Sequence, residues 1–258
     1  MLSGRIRIVK AALISRVPFN FLRIWLYRFL CGYQISSAAK IGFGTILDLD
    51  EALIGRAVIG QRNMFQGSFS LHVKDGARIG HLNSWLNLDK VEIGRASIGR
   101  HNIFRGPFSL YIKDGARVVA DNIFKCGSWA LEDKFQDAGY LRRCVIESDA
   151  LITDAHFIDT VGGFELGEHS WIGGRNSQFW THGAGVTDRF ISIGSNCYIG
   201  SAVRFAPGAA IGDHNIVSLG SVVTKKFDGN HLLIGGMPAR IIKEKYDWVN
   251  HTFVQDLR

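Results

Sequence analysis

Near the C-terminus six branched or aromatic residues recur every six positions: Ile193, Ile199, Phe205, Ile211, Val217 and Val223. Each is followed by a small residue: Gly194, Gly200, Ala206, Gly212, Ser218 and Thr224. A period of six matches neither the repeat of a helix nor the alternation of an ordinary strand. It fits a solenoid in which each short strand is one side of a repeating coil. Every sixth side chain then points into a narrow shared core. The small residue after it lets the chain turn a corner where a bulky Cβ would clash.

The rhythm extends upstream through a duplication. IGRAVIGQRNMFQGSFSLHVKDGARIG at 54–80 aligns with IGRASIGRHNIFRGPFSLYIKDGAR at 93–117, at a constant offset of 39. With a coil of roughly 18 residues, that offset predicts two coils plus a three-residue insertion. IGGRNSQFWTHG at 172–183 echoes the same unit and aligns Asn176 with Asn63 and Asn102. The pattern lapses at 121–144 and 180–190. Irregular insertions in a solenoid collect on one face, often the binding face. Three parts follow: a helical segment at 1–35 with Pro18 as a break, repeats over 36–238, and a second helical segment over 239–258.

Of the 258 residues 47% are hydrophobic, so a sizeable core is available and wholesale disorder is excluded. The net charge of +7 suits an anionic partner such as cofactor phosphates, an anionic glycan or a lipid head group. No nucleic-acid-binding motif accompanies it. Cys31, Cys126, Cys144 and Cys197 form no CxxC pair, which gives no zinc ribbon or dithiol site. With no clear signal peptide, they point to a reducing cytoplasm. The first 30 residues carry Arg5, Arg7, Lys10, Arg16, Arg23 and Arg28 and no acid. Their apolar runs fall short of the ~18 residues that a membrane span needs. Such a basic, aromatic segment either caps the end of the solenoid or lies on an anionic membrane surface, and the two are compatible.

IGSNCYIGSAVRFAPGAAIGDHNIVSLGSVVTKKF at 193–227, followed by IGGMPARIIK at 234–243, resembles the C-terminal signature of the hexapeptide-repeat acyltransferases. Bacterial sugar and polysaccharide O-acetyltransferases are the members it resembles. The resemblance implies an all-β solenoid, a left-handed parallel β-helix, assembled as a homotrimer with active sites between subunits. It also implies acetyl-CoA as the acyl donor, with no metal.

By the same resemblance His182, in Phe179-Trp180-Thr181-His182-Gly183, is the general base that deprotonates the acceptor as it attacks the acetyl thioester. Imidazole titrates near working pH and can take and return a proton. A base needs an orienting acceptor, and Asn176, Asp154, Glu165 and a backbone carbonyl are the candidates. The resemblance places Gly200, Ser201, Leu219, Gly220 and Ser221 along the pantetheine arm. Thr224, Lys225, Lys226 and Arg240 fall near the nucleotide end, with Lys243 beyond. Cations there have a purpose, because coenzyme A carries phosphates. Trp180, Asn176 and Tyr198 are candidate acceptor contacts. Phe65, Phe69, Phe104 and Phe108 read as stacked core rather than as a sugar platform.

The favoured function is O-acetylation of a sugar in a bacterial surface polysaccharide or its precursor. The expected setting is cytoplasmic, with a peripheral membrane contact. N-acetylation of a nucleotide-linked amino sugar is the nearest alternative, and a non-catalytic scaffold is another. A zinc enzyme of the gamma carbonic anhydrase kind needs a compact histidine set, and His156, His169, His182 and His214 are scattered.

Overall fold

The computed structural model of the chain describes residues 2–249 and 252–253. Its strands form three long sheets, and successive strands pass from one sheet to the next. Face A runs from Gln34–Ile35 to Lys226–Phe227, face B from Lys40–Ile41 to Leu233–Gly236, and face C from Ile46–Asp48 to Val222–Val223. Every pairing within these runs is parallel, as in the expected left-handed β-helix. The six-residue run lies where it should: Ile193 and Ile211 on face A, Ile199 and Val217 on face B, Phe205 and Val223 on face C. All six are at most 3% exposed.

The duplication is resolved differently from the expected two coils plus an insertion. Ile59, Ile79 and Ile98 are register partners on face B, so the offset of 39 consists of one 20-residue and one 19-residue coil. The extra length is spread over both, partly in four-residue strands on face A such as Ser70–Val73 and Ser109–Ile112. The wider coils have room for rings. Phe65, Trp85, Phe104 and Phe124 stack along the axis at 5.2, 4.0 and 4.8 Å. Phe69 and Phe108 are also buried, so the four repeated phenylalanines are core.

After the first coil, each turn from face B into face C passes through a left-handed residue: Arg62, Leu82, His101, Asp121, Ala155, Asn176, Ala202 and Gly220. At all of these corners but the one before Val203, a polar side chain follows and hydrogen-bonds to the backbone of the corner. Asn63, Asn83, Asn102 and Asn122 form a buried ladder, each amide oxygen accepting from the next coil's backbone. Asn176 is therefore a corner residue in the place of Arg62, not a counterpart of Asn63. A register shift on face B between the strands Leu151–Asp154 and Trp171–Arg175 displaces the alignment by one.

His156 replaces asparagine in this ladder. Its Nδ1 accepts from Ser177 N at 3.1 Å, and its Nε2 lies 3.0 Å from Thr153 Oγ1. Burial lowers its pKa to about 4. A protonated ring would turn Nδ1 into a second donor facing an N–H. Below about pH 6.5 the unfolded chain binds this proton while the native state does not, so stability falls between about pH 6.5 and 4. The expected loss by pH 4.5 is about 2 kcal/mol. His156→Asn should remove that component, as read from urea midpoints at pH 7 and 4.5. An unchanged pH slope would contradict it.

The N-terminal segment folds as α1 (Leu2–Ser15) and α2 (Asn20–Cys31), with Pro18 between them, and closes the first coil. Its cations hold the cap in place. Arg7 pairs with Asp48 and Asp50, Lys10 reaches Leu30 O, and Arg23 reaches Ile41 O. The other side of the cap is apolar and open: Phe21, Trp25 and Phe29, one helical turn apart, are 72, 52 and 73% exposed. Among the described residues no helix is long and apolar enough to cross a membrane.

The C-terminal helix expected over 239–258 is not what forms at its start. Ala239–Lys243 is a strand antiparallel to Leu233–Gly236, and Tyr246–Asp247 pairs with Thr252–Phe253. Gly235-Gly236-Met237-Pro238 makes a hairpin turn, and the branched Ile241 and Ile242 favour a strand. Residues 250, 251 and 254–258 of that segment lie outside the described residues.

Candidate active site

Asp159 ends the face C strand Phe157–Asp159, and the next coil returns the chain over it as Trp180-Thr181-His182. Its side chain is 4% exposed. Oδ2 accepts from Thr181 N at 2.8 Å, from Thr181 Oγ1 at 2.7 Å and from His182 Nδ1 at 2.6 Å. Oδ1 accepts from Val161 N at 3.3 Å. The Thr181 hydroxyl in turn accepts from Gly162 N at 2.9 Å. Gly162 is required here, because a Cβ would lie 2.4 Å from Thr181 O and from the Arg189 side chain. A carboxylate only accepts, so the bonded Nδ1 carries the imidazole hydrogen. Nε2 is left with its lone pair on a ring whose side chain is 38% exposed.

Both irregular segments meet at this histidine. Face C continues through Ile123–Lys125, so the first insertion starts later than the sequence pattern suggested. It contains two short 3-10 turns, Ser128–Leu131 and Asp133–Ala138. Trp129 is wedged between Phe135 and Tyr140, and its ring centre lies 5.3 Å from that of His182. Arg189, from the second segment, stacks over Tyr140 and donates to Ala138 O at 2.7 Å. The result is a cavity of about 600 Å³ with Trp129, Phe157, Trp180, Asn87, Arg105 and Lys125 around Asp159 and His182. Phe157 and Trp180 lie 4.6 Å apart, an aromatic surface beside the histidine. Cys126 also lines the cavity, but burial pushes its thiol up to about 12, which leaves little thiolate for attack.

Of the expected orienting partners, none touches His182. Asp154 ends a face B strand, Glu165 lies on face A, and Asn176 is an exposed corner residue. Tyr198 is on face B, packed with Trp171 and Trp248 at 6.5 and 5.5 Å. Trp180 alone of the three expected acceptor contacts lines the cavity.

The expected donor residues divide between two edges of the prism. Gly200, Ser201, Leu219, Gly220 and Ser221 lie at the corner between faces B and C, where Gly220 N donates to Ser201 O. Arg240 is paired with Gly235 at the same edge. Leu219 is 78% exposed, and no atom stands within 4 Å of where a Cβ of Gly220 would be. The Ser221 hydroxyl is turned inward, donating to Ser218 O and accepting from Gly236 N. Thr224, Lys225 and Lys226 lie at the corner between faces C and A, two coils beyond Trp180-Thr181-His182. Two coils are ~10 Å of axial rise. Lys226 is paired with Asp188 at 2.9 Å, whereas Lys225 lies over the Phe227 ring. Lys243 is exposed on the terminal hairpin. Among the described residues no group of three or more metal-ligating side chains occurs.

Asp159, Trp129, Arg105 and Lys125 also line the cavity, and the six-residue spacing leads to none of them. An 18-residue coil counted back from His182 reaches Phe164, beside Glu165. The actual coil, Ile158 to Phe179, is 21 residues and leads instead to the Asp159 end of face C.

No family model matches the chain. Over 68 residues it is 40% identical to a galactoside O-acetyltransferase of Escherichia coli (strain K12), a match spanning 26% of this chain and 33% of that protein. Over 54 residues it is 37% identical to a putative acetyltransferase of Staphylococcus aureus (strain MRSA252), spanning 21% and 27% respectively. The matches thus span about a third or less of the length of these relatives. Among solved structures, a UDP-N-acetylglucosamine acyltransferase superposes with a TM-score of 0.45 at 13% identity, over 81% of this chain and 70% of that one. A maltose O-acetyltransferase from Clostridium difficile 630 gives a TM-score of 0.27 at 15% identity, over 94% of this chain and 87% of that one. In its coils and its sequence relatives, the chain resembles the hexapeptide-repeat acyltransferases.

Proposed function

We propose that this protein is an acetyl-CoA-dependent O-acetyltransferase acting on a sugar, with His182 as general base. The observation that carries this reading is the Asp159–His182 pair, which presents a bare Nε2 to an aromatic-walled cavity. Nε2 takes the proton of an acceptor hydroxyl as its oxygen attacks the thioester carbonyl. The tetrahedral intermediate then collapses, the C–S bond breaks, and His182 returns the proton to the leaving thiolate. Direct transfer needs no acyl-enzyme, because the site holds both reactants together. The galactoside O-acetyltransferase relative supports a sugar acceptor. A surface polysaccharide or its lipid-linked precursor is the version we favour.

Donor binding accounts for the two separate edges. In a homotrimer around a three-fold axis, the edge carrying Thr224 and Lys225 of one protomer would face the edge carrying Ser201, Leu219 and Gly220 of the next. Each groove for acetyl-CoA would then draw on two chains. Three parallel solenoids would also present their caps on one side. The exposed Phe21, Trp25 and Phe29, in a segment with no acid before Asp48, suit a peripheral contact with an anionic membrane from the cytoplasmic side.

Calorimetric titration with acetyl-CoA tests the donor half of the proposal. We expect saturable binding, weakened about tenfold by Lys225→Ala through the loss of a charge-assisted phosphate contact. His182→Ala should leave the affinity unchanged. A folded protein that does not bind at millimolar acetyl-CoA would favour a scaffold role instead.

A further inference from the structure

The duplicated block contains its own control. On face C the strand-end residues Gln66, Leu86, Arg105, Lys125 and Asp159 are successive register partners. Arg105 stands 39 residues after Gln66, within the aligned blocks, and just beyond them Lys125 stands at the same offset after Leu86, which extends each copy by one coil side. The first copy, toward the helical cap, is neutral at both places. The second copy, which reaches the His182 cavity, is cationic at both, and both residues line that cavity. The substitution thus falls where the solenoid wall becomes the wall of a cleft.

Adjacent strands are ~4.8 Å apart, so the two cations stand side by side and repel each other unless an anion lies between them. Both are exposed. Among the described residues neither has a carboxylate within ion-pair distance. The neighbouring Asp159 is already committed to His182, Thr181 and Val161. An arginine beside a lysine matches the charge and donor geometry of a carboxylate or a phosphate. Their place in the sequence of coils separates them from the proposed donor groove. They lie on coils before His182, while Thr224 and Lys225 lie on coils after it. The Phe157–Trp180 surface lies between the cations and the later coils.

We propose that Arg105 and Lys125 form an anion-binding subsite in the acceptor half of the cleft, so that the sugar acetylated carries a carboxylate or a phosphate near its reacting hydroxyl. This rests on the acetyltransferase reading above. It narrows the acceptor class from sugars in general to acidic sugars, nucleotide-linked sugars or lipid-linked sugar phosphates.

The test restores the residues of the first copy. Wild type, Arg105→Gln, Lys125→Leu and the double variant are titrated with glucuronate, glucose 1-phosphate and glucose, using tryptophan fluorescence from Trp129 and Trp180. Acetyl-CoA affinity and thermal melting are measured in parallel. The expected result is that at least one anionic sugar binds about tenfold or more tightly than glucose. The double variant should reduce it to the level of glucose while acetyl-CoA affinity and melting stay unchanged. The carboxylate and phosphate arms identify which anion the site takes. Equal binding of all three sugars, no binding of any of them, or variants that weaken acetyl-CoA instead would overturn the subsite. Loss of the acetyltransferase reading looks different: anionic sugars bind and the variants abolish that binding, but acetyl-CoA does not bind to any form.

Discussion

Replacing His182 with alanine should lower the rate of acetyl transfer by between about 10² and 10⁴, the usual range for removal of a general base. A thousandfold fall corresponds to about 4 kcal/mol of transition-state stabilisation. The fall should appear in kcat, because the ring is placed to take a proton rather than to hold the donor. Folding should be little affected. The imidazole is partly exposed and makes one side-chain hydrogen bond, to an aspartate that keeps two bonds from Thr181. Acetyl-CoA consumption with and without a sugar acceptor, measured on wild type and His182→Ala, gives the number directly. A variant with near wild-type turnover would remove His182 from the reaction.

Asp159→Asn should be nearly as damaging, although residue 159 is enclosed by protein. The carboxylate requires hydrogen on Nδ1 and so leaves the Nε2 lone pair free. An asparagine oxygen in the place of Oδ2 still accepts from Thr181 and Nδ1, but it is neutral and no longer stabilises the imidazolium that forms as His182 takes the proton. We expect a fall in kcat of about 10² to 10⁴ with acetyl-CoA affinity unchanged. The double variant Asp159→Asn/His182→Ala should be scarcely slower than His182→Ala, because the two residues act as one unit. Additive losses in that comparison would mean that Asp159 acts on the reaction independently of the histidine. Asp159→Ala would be a poorer probe, since it also leaves the buried Thr181 N and Oγ1 without their acceptor.

The coil was legible from spacing alone where the spacing is strict. From Ile193 to Val223 each sixth residue falls inside, and the small residues after them stand at the corners. Upstream the same rhythm stretches to coils of 19 and 20 residues, and the rings of Phe65, Trp85, Phe104 and Phe124 fill the wider section. A fixed count fails there. His182 was visible through its local motif, but Asp159 was not. Their pairing depends on a 21-residue coil and on a close passage over Gly162. Trp129 was hidden in an insertion whose length carries no period. Arg105 and Lys125 belong to no motif, and only the register sets them in one column. The C-terminal helix failed for a local reason: the Gly-Gly-Met-Pro turn and two isoleucines build a hairpin instead.

The most direct test of the central claim follows the acetyl group itself. Acetyl-CoA labelled in its acetyl group is incubated with the purified protein and a panel of neutral, acidic and phosphorylated sugars, and the products are analysed for label and for its linkage. The expected product is a base-labile ester on a sugar hydroxyl, formed together with free coenzyme A, dependent on the acceptor and lost with His182→Ala. Label in an amide would move the activity to an amino sugar. No transfer to any acceptor, by a folded protein that binds acetyl-CoA, would contradict the account.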